Sequence, residues 1–177
     1  IISVLAVKSS LNADEARSSA EPETLQCHYD FGSEQHAEKA FIAVTSRSPY
    51  SPDRGYGWVG APDLRVQDEG KPDALLRDFV VGNQPAVFRV SGLTPGQYLL
   101  TVVCGNIASG AYATQVKIVG SGVELPVITQ AAGDCSTLQA TLQLGETADI
   151  TFSSPRQNWI VNALTLAPSD KPVAPTV

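Results

Sequence analysis

Leu138, Ala140, Leu142 and Leu144 alternate with Thr137, Gln139, Thr141 and Gln143, and this strict period of two constrains the fold more than any other feature of the chain. Successive side chains of a β-strand point to opposite faces, so such a segment buries one face and wets the other. Ala148, Ile150 and Phe152 resume the pattern after Gly145-Glu146. Tyr98, Leu100, Val102 and Cys104 share one side of a further segment. Its other side, Leu99, Thr101 and Val103, is also largely apolar, which predicts a central strand. Helical periodicity is nearly absent. The pattern predicts strands near 25–31, 40–45, 56–59, 75–80, 86–90, 97–105, 112–119, 123–131, 137–143, 147–152 and 159–166. Short strands separated by turns such as Gly92-Leu93-Thr94-Pro95-Gly96 predict an all-β fold, an antiparallel β-sandwich.

The 177 residues suit one domain. Residues 1–24 read as an N-terminal extension or connector, with a helical turn at 13–18 between the N-cap Asn12 and Pro22. Residues 25–167 form the sandwich, and 168–177, with three prolines, read as a linker or tail. Ile1 to Val7 is apolar but too short to span a bilayer; it reads as an edge strand or as the remnant of a signal segment. The chain does not begin with methionine and reads as a fragment or processed form. A net charge of −6 argues against nucleic acid or an anionic membrane as partner.

The three cysteines have no metal-ligand spacing. Cys104 reads as a buried small hydrophobe. Cys27 and Cys135 flank strands and pair only if their Cα atoms approach within about 7 Å. His28 and His36, with only Cys27 beside them, make a poor zinc set.

Tyr50-Ser51-Pro52-Asp53-Arg54-Gly55-Tyr56-Gly57-Trp58 gathers three aromatics, an Asp–Arg pair and two glycines. Tyr56 and Trp58, two apart, share a face of a strand. Facing out, they form a stacking platform for the C–H face of a sugar; facing in, they plug the core. Asp53 and Arg54 either reach sugar hydroxyls or decorate a solvated turn. Tyr50 reads as a loop-rim residue.

Arg77-Asp78 interrupts an apolar run; the two point to opposite faces of a strand, and one of them reads as anchoring a neighbouring loop through a half-buried ion pair, with Asp78 holding the Arg54 or Tyr56 loop. Asn162 falls on the core side of the last strand and needs backbone partners. Asn158 and Trp159 lie nearer a loop and are the better ligand candidates there. Asn106 and Tyr112 flank a loop that offers a second wall of a site or an ordinary strand connection.

Several motifs follow one another in order: Tyr29-Asp30-Phe31-Gly32, the 50–58 segment, Leu76-Arg77-Asp78-Phe79-Val80, Phe88-Arg89-Val90, Leu93-Thr94-Pro95-Gly96-Gln97-Tyr98 and Asn158-Trp159-Ile160-Val161-Asn162-Ala163-Leu164. Over about residues 26–167 this order resembles the galactose-binding-like β-sandwich (jelly-roll) domains attached to secreted polysaccharide-degrading enzymes. The nearest likeness is the domain that precedes the catalytic part of rhamnogalacturonan acetylesterase-type enzymes. Malectin-like and carbohydrate-binding modules share the architecture. Such domains either bind glycan or support a neighbouring domain. The resemblance implies a secreted, periplasmic or cell-surface location and a covalently linked catalytic domain. It also brings a structural calcium ion into question, with Asp30, Glu34, Asp78 and Asp149 as candidate ligands.

The Gly-Asp-Ser nucleophile block of the esterases is absent from the chain. No Ser–His or Cys–His set stands out either, so the reading is non-catalytic. A glycosidase-type carboxylate pair among Asp53, Asp63, Asp68 and Asp73 stays open, since sequence does not give separation in space. The sequence therefore points to a module for a polysaccharide or oligosaccharide, with Tyr56, Trp58 or Trp159 stacking and Asp53, Arg54 and Asn106 hydrogen bonding. The alternative is a structural β-sandwich domain that packs on a neighbour without sugar.

Overall fold

A computed structural model of the chain describes residues 27–71, 73–106, 110–156 and 158–177. The expected 13–18 turn and the whole N-terminal connector, residues 1–24, lie outside the described residues.

Among the described residues thirteen strands and one helical turn follow in order. They are β1 (Cys27–Phe31), β2 (Ile42–Val44), β3 (Tyr56–Trp58), β4 (Leu64–Asp68), α1 (Ala74–Arg77), β5 (Asp78–Gly82) and β6 (Ala86–Ser91). Then come β7 (Gly96–Asn106), β8 (Tyr112–Ile118), β9 (Ile128–Gln130), β10 (Asp134–Leu144), β11 (Thr147–Ser153), β12 (Trp159–Val161) and β13 (Ala163–Pro168). One five-stranded sheet runs β10-β7-β13-β1-β2 and the other β3-β6-β11-β8-β9; a small sheet, β12-β5-β4, completes the set. The fold is an all-β sandwich. Its pairings are antiparallel except β1 with β2 and the isolated Pro49–Trp58 bridge, which are parallel.

The alternation builds the core directly. In the first sheet Leu138, Val102, Leu164 and Tyr29 lie side by side across four strands, with Ala140, Leu100, Leu166 and Cys27 in the next row. The second sheet answers with Trp58, Phe88, Ile150 and Ile118. Phe31 joins the sheets, its ring 5.0 Å from Phe88 and 5.6 Å from Trp58. Edge-to-face ring pairs of this kind add about 1 kcal/mol beyond their area.

Three departures from the sequence reading have local causes. The Asp73 carboxylate accepts the N–H of Leu76 and caps a helical turn, so the strand expected at 75–80 begins only at Asp78. Residues 64–68, read as loop, form edge strand β4. The single closing strand expected at 159–166 breaks at Asn162, because β12 leaves the main sheet to pair with β5.

Asn162 makes that break tolerable. Its side-chain Oδ1 accepts the Gly105 N–H at 2.6 Å, and its Nδ2 donates to the Asp78 carbonyl at 3.0 Å. A buried amide thus ties β7 to the start of β5 with partners on both ends.

Residues 168–177 fold back along the edge strand β10. Gln139 and Thr176 exchange backbone hydrogen bonds at 2.9 Å, and the Thr141 N–H donates to the Val173 carbonyl. The tail so covers backbone groups that an edge strand would otherwise expose.

Cys27 and Cys135 do not pair. Their strands are separated by β13 and β7, and their registers on β7, Leu100 and Gly105, differ by five residues, so they lie more than about 14 Å apart at the usual strand spacing. All three cysteines are free thiols. Burial holds the Cys104 thiol far up, at about 12.

Candidate functional site

Where the small sheet meets the second sheet, a groove of about 300 Å³ opens between β4 and the start of β8. Arg65, Val66 and Gln67 of β4, Val81 of β5, Tyr112 at the head of β8 and Asn158 just before β12 line it. Arg65 and Gln67 fall on one face of β4 by the period of two, level with Val81 and Phe79 on β5. The Tyr112 ring stands edge-on to Phe79, with centroids 6.1 Å apart. It is 9% exposed, so the ring is seated in the core while the residue lines the groove.

Burial raises the Tyr112 pKa; the Glu69 carboxylate adds to the rise and the Arg65 guanidinium opposes it. The phenol is therefore a neutral hydrogen-bond donor and acceptor at any physiological pH. Gln67 Nε2 donates to Glu69 Oε1 at 3.2 Å, fixing the amide beside the groove. The backbone carbonyl of Asn158 accepts a long bond from the Ala113 N–H, which sets Asn158 against β8. Together these side chains present a hydroxyl, two amides and a guanidinium over a valine floor. That combination suits a hydroxyl-rich ligand held by hydrogen bonds rather than by ring stacking.

Only Tyr112 and Asn158 of the nine residues singled out from sequence reach this groove. Trp58 and Trp159 are 1% exposed, each with its indole N–H spent on a carbonyl, Thr45 and Gln84 respectively. Neither can stack a sugar, because neither offers a ring face to solvent. Tyr56 packs inward against Tyr29, at 5.1 Å, and the Arg54 guanidinium lies 5.4 Å from its centroid. Arg54 Nη2 also donates to the Pro49 carbonyl at 2.7 Å, so this arginine braces its own turn. Tyr50 bonds Ser91 Oγ at 3.1 Å beneath the Arg89 guanidinium. Asp53 is exposed on the turn tip. The 50–58 segment is thus a structural corner plugging the core edge, the inward reading of its shared face. Gly57 makes it possible: with φ +138°, its position leaves no room for a Cβ against the Pro49–Tyr50 backbone.

Asn106 is 1% exposed and donates to the Gly110 carbonyl, so it closes its loop instead of reaching a ligand. Asp78 does not hold the Arg54 or Tyr56 loop; it accepts the Ser33 N–H at 2.6 Å. Its neighbour Arg77 ends α1 and grips Asp68 with both Nε and Nη2.

The four candidate calcium ligands do not converge. Asp149 is held bidentately by Arg89 on the second sheet, at 2.7 Å for both bonds, and Glu34 is exposed. Asp30 and Asp78 are buried near one another, each with Oδ1 unpartnered. Among the described residues no group of three His, Cys, Asp or Glu side chains is placed to hold a metal, zinc included.

Sequence reasoning missed Arg65 and Gln67. The signal was present: Leu64 and Val66 alternate with Arg65 and Gln67, a four-residue stretch with one polar face.

No family model and no curated protein matches the sequence. Solved structures do share the fold. Protein YxiM of Bacillus subtilis superposes with a TM-score of 0.63 at 21% identity, over 85% of this chain and 42% of that one. A calcium-binding mutant of β-glucuronidase 2 from Bacteroides uniformis gives 0.62 at 14% identity, over 83% of this chain and 18% of that one. The plant receptor-like kinase FER gives 0.54 at 10% identity, over 82% and 42%. The chain therefore spans less than half the length of each, and the likeness is one of fold. The sandwich occurs as part of larger proteins, a carbohydrate-active enzyme among them.

Proposed function

We propose that the chain is a non-catalytic carbohydrate-binding module whose site is the groove of Arg65, Gln67, Tyr112 and Asn158. The observation that carries the reading is the convergence of those four polar side chains on one strand-built groove. Tyr112 and Asn158 come from residues 46 apart in sequence, and Arg65 from a third element. Groups mounted on strands keep their geometry without a ligand, which lowers the entropic cost of binding. The occurrence of the same sandwich within a β-glucuronidase supports a carbohydrate context.

The sugar is a poly- or oligosaccharide, bound weakly by one groove without a stacking platform. Linkage to a catalytic domain raises the effective concentration on a polymer and compensates for that weakness. The parent is a secreted or cell-surface polysaccharide-degrading enzyme in this proposal, with the esterase-type likeness of the motif order as its sequence support.

A second reading has its own observation. Both tryptophans are buried in the core and Tyr56 packs against it, as expected of a supporting domain that binds no sugar. Affinity electrophoresis against neutral and pectic polysaccharides separates the two. Retardation that is lost in Tyr112→Ala and Arg65→Ala supports the module; unretarded migration in every polysaccharide supports the scaffold.

A further inference from the structure

Residues 33–38, in the loop between β1 and β2, are fastened to the sandwich by two carboxyls. The Ser33 N–H donates to Asp78 Oδ2 and the Glu38 N–H to Asp30 Oδ2, both at 2.6 Å. Among the described residues no other hydrogen bond ties this stretch to the body of the fold. The bonds donated by the Gln35, His36, Lys39 and Phe41 N–H groups all stay within the loop. His36 Nδ1 adds one loose contact, 3.6 Å from Asp68 Oδ2.

Both anchors are groups that a fold rarely buries. Asp30 is 2% exposed and Asp78 1%. The Asp78 carboxyl lies so close to Gly32 that a Cβ there would run into it. Each anchor has its second oxygen, Oδ1, buried without a hydrogen-bond partner. Four buried side-chain polar atoms lack a partner among the described residues, and three belong to this loop and its anchors, His36 Nδ1 being the third. A carboxyl satisfied on one oxygen only is costly to bury as an anion and far less so as a neutral acid.

The surrounding groups do not remove that cost. Burial raises the Asp30 pKa to about 6; the Glu38 N–H opposes the rise, and the Asp78, Glu38 and Asp73 carboxylates add to it. Burial also raises Asp78; the Ser33 N–H, His36 and Arg77 oppose the rise, and Asp68 adds to it. Arg77 is already spent on Asp68, with two bonds. Glu34 and Lys39, on the loop itself, are exposed, and His28, on the same face of β1 as Asp30, packs its ring on Phe41. Among the described residues no cationic side chain pairs with either buried carboxyl.

We infer that the 33–38 loop is a pH-sensitive latch, closed while Asp30 and Asp78 retain a proton between them and opened as both carboxyls ionise. Asp30 gives up its proton more readily once the loop swings away and water reaches it, so rising pH favours the open loop. With Asp30 at about 6 in the closed loop and at its ordinary 3.8 when released, the open population grows about tenfold between pH 5 and pH 7. The latch rests on the loop and its two anchors alone, so it holds whether or not the groove binds sugar.

Amide hydrogen exchange of the whole chain, read by NMR between pH 5 and pH 7, tests it. The protection factors of the Ser33 and Glu38 amides, corrected for the intrinsic pH dependence of exchange, fall about tenfold over that range. Small additions of urea leave both unchanged, as expected of a local opening, while the buried Leu100 and Val102 amides respond to urea. Asp30→Asn keeps an acceptor for the Glu38 N–H without the charge, and most of the fall disappears; adding Asp78→Asn removes the rest. Protection that does not change with pH, or a fall of full size in the double variant, overturns the proposal. If the double variant does not fold, a full tenfold fall in Asp30→Asn alone overturns it. Loop amides that follow urea as the core amides do overturn it as well, because the loop then opens only with the whole fold.

Discussion

Trp58 and Trp159 sit with ring centroids 6.1 Å apart inside one core, their planes 41° from each other. Phe152 stacks on Trp159 at 5.5 Å and lies 6.0 Å from Trp58. The aromatic cluster joins β3 and β11 of the second sheet to β12 of the small sheet, so it fixes the small sheet, and with it the groove, to the sandwich. Trp159→Ala removes this link and is expected to cost about 3–5 kcal/mol, as large-to-small core changes do. Urea denaturation checks the cost. Acrylamide quenching of the native protein checks the burial: both indoles are shielded, and exposed-tryptophan quenching would contradict it.

Asn162→Ala strands the Gly105 N–H and the Asp78 carbonyl at the junction of β7 and β5. Two buried backbone groups without partners predict a loss of about 2–5 kcal/mol. Asn162→Asp keeps one acceptor but loses the donor, and should fall between alanine and wild type only at a pH low enough to protonate it. Chemical denaturation of the three proteins at two pH values reads both effects.

The Asp30 carboxyl gives a pH dependence with a definite sign. Burial raises its pKa from 3.8 to about 6; the Glu38 N–H bond opposes this, and the Asp78, Glu38 and Asp73 charges add to it. A group whose folded pKa lies above its unfolded one stabilises fully below the lower value and loses that contribution as pH rises through the upper one. Asp30 therefore favours the fold below about pH 4, and by pH 7 the contribution is gone, a change of up to about 3 kcal/mol at 1.36 kcal/mol per unit. Asp78, raised by burial, acts in the same sense. Asp149, lowered by its bond to Arg89, acts in the opposite sense and loses its contribution only in acid. The stability of Asp30→Asn minus that of wild type isolates the first term: the difference should grow in the mutant's favour between pH 4 and pH 7, and a flat difference would refute it.

Gly57→Ala sets a methyl group against the Pro49–Tyr50 backbone at a φ of +138°, which side chains rarely adopt. A destabilisation of roughly 2–4 kcal/mol is expected from strain of this kind. Gly60→Ala, also at positive φ but with nothing within 4 Å, should cost only about 1 kcal/mol, so the gap between the two measures the close approach.

These residues also show what could be read in advance. The long strands were legible because one face of each is buried and the period of two is then unavoidable: Leu138 to Leu144 and Ile150 to Phe152 stand where the alternation puts them. The all-β sandwich follows from many such strands with glycine and proline between them. The candidate site was less legible, because alternation says which residues share a face but not whether that face looks in or out. Tyr56 and Trp58 do share a face, and it is the inner one. Arg65 and Gln67 lie on an edge strand whose partners on β5 stand 16 and 12 positions away, beyond any local pattern. Asp78 reads from sequence as an anchor of the Arg54 or Tyr56 loop, yet its partner, the Ser33 N–H, is set by a chain crossing that no sequence period encodes.

The measurement that bears most directly on the proposed function is isothermal titration of the chain, and of Arg65→Ala and Tyr112→Ala, with soluble neutral and pectic oligosaccharides. Circular dichroism confirms that each variant is folded. A saturable heat with at least one sugar, weakened about tenfold or more in both variants, is the predicted result. No heat with any sugar, or binding that both variants retain in full, would contradict the assignment of a glycan site to the Arg65–Tyr112 groove.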